Sequence, residues 1–196
     1  VGVAQLEQFR FAEAAETFKK ALATDPTLYP ARVNQAIAFL YVPDIPAARQ
    51  AAEEALKARP DDPYANYLLA LIARTEGRAE EAVPYVQKVL AGDPKDLGAN
   101  VTLGQVYLQM RQYEEAAKAF RIAAAAEPYN VSAAYNLGVA LTRSGQREEG
   151  QVAMQRFQKL RDSAYKSALG RLEPAHQVPS VHANVSAVSD ANSSAT

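Results

Sequence analysis

Pro26, Pro60, Pro94 and Pro128 are evenly spaced along the chain. The same period governs other residue types. Small residues fall at Gly2, Ala36, Ala70, Gly104 and Gly138, and again at Ala14, Ala48, Ala82, Ala116 and Gly150. A third small series holds Ala21, Ala55 and Ala123, with Val89 between them. A bulky apolar series runs Phe18, Val86, Phe120 and Met154, with Ala52 as its weak member. Several independent positions sharing one period mark a repeat architecture. Each unit of such a chain is too small to bury its own apolar face and is covered by its sequence neighbours. One closed, spherical core is thereby excluded.

Within a unit the pattern is that of two helices. From Leu97 to Asn130, Val101, Leu103, Gly104, Tyr107 and Leu108 recur at three- and four-residue steps, as do Ala116, Ala117, Phe120 and Ala123. Pro128 stops the second helix. Antiparallel helices approach closely only where the contacting residue lacks bulk, which puts Gly104 and Ala116 at the crossing. Phe120 then fills the space beside them, and Ala123 admits the first helix of the next unit. This register predicts helices near 29–41, 46–58, 63–76, 79–91, 97–110, 113–126, 131–144 and 147–169, with Phe11 to Thr24 ahead of them. Thr27, Asp44, Asp62, Asp96 and Asn130 are placed to cap helices, and Pro46 and Pro63 lie at helix starts. Pro84 falls inside a helix, where it removes the bond to the Glu80 carbonyl, so it should face water and bend the helix.

The best unit carries a Leu103-Gly104 pair, Tyr107, Ala116, Phe120, Ala123 and Pro128. That order, at that period, resembles the tetratricopeptide repeat, and the resemblance covers residues 1 to about 162. It implies an all-α fold, a right-handed superhelical α-solenoid of antiparallel helix pairs. The expected array spans 1–172: a partial repeat at 1–28, repeats at 29–62, 63–96, 97–130 and 131–164, and a capping extension of the last helix to about 172. Gly2 sits at the small position of a first helix, so the array is expected to begin mid-helix, as in a segment of a longer chain. Residues 173–196 contain no Lys, Arg, Phe, Tyr, Leu or Ile and are rich in Ser, Ala, Val and Asn. Too little can be buried there to offset ordering entropy, so they are expected to form a disordered tail or linker.

Charge and composition narrow the chemistry. The net charge is −1 with acids and bases interleaved, so there is no basic stripe of the kind that holds nucleic acid. No run approaches the length of a membrane span, and there are no cysteines for disulfides or thiolate sites. The Glu pairs at 80–81, 114–115 and 148–149 recur in the first turns of second helices, where they complement the helix dipole and face water. His176 and His182, the only histidines, lie in the tail away from any acidic cluster. An enzyme, a cofactor and a metal are therefore not expected. Compartment is not legible.

What remains is a surface. The resemblance implies that first helices line a concave groove, here through Asn34, Ile37, Tyr41, Tyr64, Tyr67, Leu71, Val101, Gln105, Gln109, Tyr135, Asn136 and Arg143. Val33, Leu40, Arg74, Thr75, Leu108, Ser132, Val139 and Thr142 share the same faces, with Leu40 and Leu108 also suited to the core. A Tyr-rich, sparsely charged groove suits an extended peptide or a helix with apolar anchors. The plainer reading is that these tyrosines only pack along neighbouring helices. Chaperone-binding members of the family hold a terminal carboxylate with Lys, Arg and Asn from successive first helices, and the required Lys and Arg are absent here. The matching places are Gly98, Thr102, Ser132 and Asn136, which argues against that clamp. The expected role is a non-catalytic protein–protein interaction module that binds a peptide or protein segment in the groove. The alternative is a scaffold or oligomerisation segment of a larger multidomain bacterial-type protein, exported or not.

Overall fold

The computed structural model describes the backbone of residues 1–172 and the side chains of residues 1–164. The tail expected at 173–196 lies outside the described residues. Among the described residues ten helices follow one another: α1 (Gly2–Glu7), α2 (Phe11–Thr24), α3 (Tyr29–Tyr41), α4 (Ile45–Ala58), α5 (Pro63–Thr75), α6 (Ala79–Gly92), α7 (Leu97–Gln109), α8 (Tyr113–Ala126), α9 (Val131–Arg143) and α10 (Arg147–Leu172). Each odd-numbered helix pairs with the even-numbered helix after it, and that helix packs against the next pair. The first two helices do not pack against α9 or α10, so the chain is a stack and not a bundle. It is a right-handed superhelical α-solenoid.

The curvature has a direct cause. Along one side, α3 touches α5, α5 touches α7 and α7 touches α9; among the described residues the second helices make no comparable contact with one another. First helices stand closer together, so they form the inner, concave wall.

The core repeats as the sequence does. Ala14, Ala48, Ala82 and Ala116 are wholly buried, as are Ala36 and Ala70 in the other small series. The structure adds a pairing between the small series that starts at Gly2 and the bulky series that starts at Phe18. A Cβ on Gly2 would fall 2.7 Å from the Phe18 ring, one on Gly104 2.6 Å from the Phe120 ring, and one on Gly138 2.6 Å from Met154 Sδ. Where the facing residue is smaller, as at Ala52 and Val86, the small position is Ala36 and Ala70 instead. Size is traded across each crossing. Gly104→Leu is therefore expected to force α7 and α8 apart, lowering stability by about 1–3 kcal/mol or more in urea unfolding.

Side-chain caps form at Asp44, Asp62, Asp96 and Asn130, as expected. Thr27 is a correction. Its backbone N–H and hydroxyl both donate to Asp25, and α3 begins after Leu28 with no side-chain cap. The turn inside each pair also repeats: Phe9 (φ 59°), Pro43 (24°), Gly77 (76°), Arg111 (58°) and Gly145 (86°) stand at equivalent places in successive units, all with positive φ. Glycine adopts this conformation freely, so the other three hold it against strain. Pro84 lies inside α6 and is exposed, as its place off the apolar series requires.

Ion pairs join successive units. Arg49 on α4 donates to Glu76 at the end of α5 and to Glu81 on α6, at 2.7 Å for the latter, while Arg78 reaches the same two carboxylates. The Arg49 hydrogen bond holds the Glu76 carboxyl below its usual value of 4.5. A depressed carboxylate contributes stability that is complete above its unfolded value and lost as pH falls through its folded one. Arg49→Met should cost about 1–2 kcal/mol near neutral pH, and less once the pH is below about 4. Urea midpoints of parent and variant across this range test it.

Candidate functional site: the concave wall

Because α3, α5, α7 and α9 stand side by side, residues at equivalent turns form rows across the inner wall. None of the twelve candidate groove residues is buried. Of the candidate tyrosines, Tyr41, Tyr64 and Tyr135 are the open ones, at 64%, 69% and 44% exposed, and Gln109 and Arg143 are exposed with them. Asn34, Ile37, Tyr67, Leu71, Val101, Gln105 and Asn136 are half-buried. Ile37 and Val101 back onto the core, so each offers only one edge. Val33, on the same face by sequence, is a correction: it is buried in the cluster that holds Ala36, Ala51 and Leu69. A residue beside a helix crossing is covered by the neighbouring helix however its own helix faces.

Polar groups of α5 and α7 are hydrogen-bonded across the wall. At its centre Arg74 donates to Gln105 Oε1 at 2.6 Å, joining α5 to α7, and Gln109 Nε2 donates to the Arg74 carbonyl at 3.4 Å. The Arg74 Nε is buried without a hydrogen-bond partner. On α9 the Asn136 amide donates to the Ser132 carbonyl at 2.9 Å, which leaves its oxygen open to accept. Arg143 lies over the Tyr113 ring at 5.8 Å, a cation–π distance that limits where its guanidinium swings.

The tyrosines both pack and remain accessible. Tyr67 lies between α5 and α7, with its hydroxyl so near Gly98 that a Cβ there would be 3.0 Å away. Tyr64, Tyr67, Asp93, Asp96 and Gly98 border a depression of about 440 Å³ at this end of the wall. Tyr135 leans on Phe157 of α10, centroids 5.2 Å apart. Tyr41 stacks on Phe11 at 4.4 Å and 12°, and Phe9 meets Phe11 edge-on at 6.1 Å. Sequence reasoning did not anticipate this aromatic extension. The available signal was two phenylalanines flanking Arg10, the first of them at a turn position where the other units carry Pro43, Gly77, Arg111 and Gly145 and no aromatic residue.

A second unanticipated device fixes the wall. Asn66 and Asn100, at equivalent places in successive units, are buried, and their amides donate to the carbonyls of Pro60 and Pro94 and of Asp62 and Asp96. Arg32 and Arg156 reach Pro26 and Pro128 in the same manner. Each repeat's terminal Pro carbonyl is thus satisfied by a neighbouring side chain, which holds the loop that sets the next first helix.

Among the described residues no helix is long and apolar enough to cross a membrane. A family model described as tetratricopeptide repeat matches residues 33–96 and 101–153, and a second of the same description matches 73–122. No curated protein matches the chain in sequence. Among solved structures, a crystal structure of MamA superposes with a TM-score of 0.77 at 19% identity, covering 85% of this chain and 97% of that one. MamA 41-end from Desulfovibrio magneticus RS-1 gives 0.77 at 21% identity, covering 83% and 92%. At these identities the likeness concerns the fold.

Proposed function

The chain belongs to the tetratricopeptide repeat family and is a protein–protein interaction module, and we propose that it takes an extended peptide segment of a partner along its concave wall. The observation that carries this reading is the presence of open tyrosines on α3, α5 and α9, beside the Arg74–Gln105–Gln109 strip that joins α5 to α7. Tyrosine offers large contact area with few rotatable bonds and a hydroxyl for the polar rim, so it is favoured in binding surfaces. A peptide lying across α3, α5, α7 and α9 would meet apolar area and amide groups in alternation. The amides of Gln105, Gln109 and Asn136 suit the unpaired backbone groups of an extended strand. With Arg74 and Arg143 as the only ionisable side chains among the groove positions apart from the tyrosines, attraction depends little on charge.

Photo-crosslinking tests the face directly. A benzophenone side chain placed at Gln109, on the inner wall, should capture a partner segment; the same group at Lys118, on the outer helix α8, should not. Capture from Lys118 alone would move the site to the other face.

A further inference from the structure

The outer side of the array carries a cleft near its C-terminal end. This cleft of about 440 Å³ lies between α8 and α10, floored by Ala124, Ala134, Leu137, Leu141 and Ala153 and bordered by Val152. The repeat register explains it. Ala124 occupies the position held by Leu22, Leu56 and Leu90 in the preceding units. Leu56 and Leu90 pack onto the cores of their own units, whereas the Ala124 side chain stops short. Val152 is the second departure. It is 66% exposed at a position where the earlier units carry Glu16, Gln50, Pro84 and Lys118. One unit has lost the leucine that fills the gap, and the next has gained an aliphatic side chain at its edge.

The rim is charged in a definite order. Along α10, Glu148 stands one turn before Val152 and Arg156 one turn after it, all three bordering the cleft. Arg156 donates from one amino group to the Pro128 carbonyl at 2.8 Å. On the α8 side Arg121 is paired with Glu149. An occupant therefore meets an acid, an aliphatic patch and a base at steps of roughly 6 Å, one helical turn each.

We propose that this cleft docks an amphipathic helix of a protein partner, which inserts one leucine where Leu56 and Leu90 sit in the other units. Running antiparallel to α10, that helix carries an acidic residue four positions before the leucine, against Arg156, and a basic residue four positions after it, against Glu148. Charge order fixes the direction, and the leucine supplies the anchor. The site is on the face opposite the concave wall and does not depend on the reading of that wall.

The probe is a synthetic Ala-rich helical peptide containing Glu-x-x-x-Leu-x-x-x-Lys, titrated into the isotope-labelled chain. Methyl signals of Leu137, Leu141 and Val152 should shift and saturate below about 1 mM peptide. Ala124→Leu restores the residue of the earlier units and should weaken binding at least about tenfold while the melting temperature holds or rises. Val152→Lys, a surface change to the residue found at Lys118, should weaken it similarly. Exchanging Glu and Lys in the peptide should lose about threefold or more. The Tyr67→Ala, Tyr135→Ala variant should bind the peptide as the parent does. The proposal fails if no saturable methyl shift occurs, if the shifts map elsewhere, or if Ala124→Leu and Val152→Lys both bind like the parent.

Discussion

Phe120→Ala is expected to lower the unfolding free energy by about 3–5 kcal/mol, a large share of what a chain of this size holds in reserve. The ring is wholly buried among Ala116, Ala117, Leu141 and Ala153, so it contacts both its own unit and the next. Its far edge, Cζ and the two Cε atoms, lies against the side of Gly104 where a Cβ would stand. Removing the ring leaves a cavity lined largely by Ala116, Ala117, Ala140 and Ala153, whose side chains are too short to collapse into the space. The loss should also loosen the interface between repeats, because each unit is stabilised by the cover its neighbour provides. A companion experiment isolates the cause. Gly104→Ala with Phe120→Val reproduces the Ala70–Val86 crossing of the third unit, and should cost less than its two single changes summed, by about 1 kcal/mol or more. Urea unfolding followed by two probes measures both, since a repeat array need not unfold in one step. An unchanged midpoint for Phe120→Ala would mean the repeat register is misassigned.

The fold was legible because its determinants are local. Small residues, caps and prolines act within one unit, and a fixed period shows them again in each, so each helix lies within a few residues of its expected bounds. What escaped the sequence depends on which residue meets which across the stack. The exchange of Gly104 against Phe120, and of Ala70 against Val86, appears only once the two series are seen to face each other. Asn66 and Asn100 carry no sign of burial in the sequence, because their role depends on the carbonyl of the preceding loop. Thr27 had the right side chain for a cap, but Asp25 claims it first. The groove candidates lie on first helices, but their degree of cover was not readable from sequence: Val33 and Ile37 are one turn apart, and only Val33 is buried.

The second large effect concerns binding. Tyr67→Ala with Tyr135→Ala should weaken a peptide captured by the concave wall at least about 100-fold, since buried aromatic anchors each account for about 2 kcal/mol or more. The two lie on α5 and α9, with α7 between them, so one extended ligand spans both. Neither holds the core: Tyr135 is 44% exposed, and Tyr67 packs only at the edge of its cluster. Helicity should therefore be retained. High salt should change the parent's affinity little, because Arg74 and Arg143 are the only fixed charges among the groove positions.

Titration calorimetry of the segment captured by crosslinking, made as a peptide, against parent and double variant tests the central claim most directly. The account predicts saturable binding to the parent, largely insensitive to salt, and no measurable heat with a double variant whose circular dichroism matches the parent's. Equal affinity for both proteins would contradict it and remove the concave wall as the binding surface.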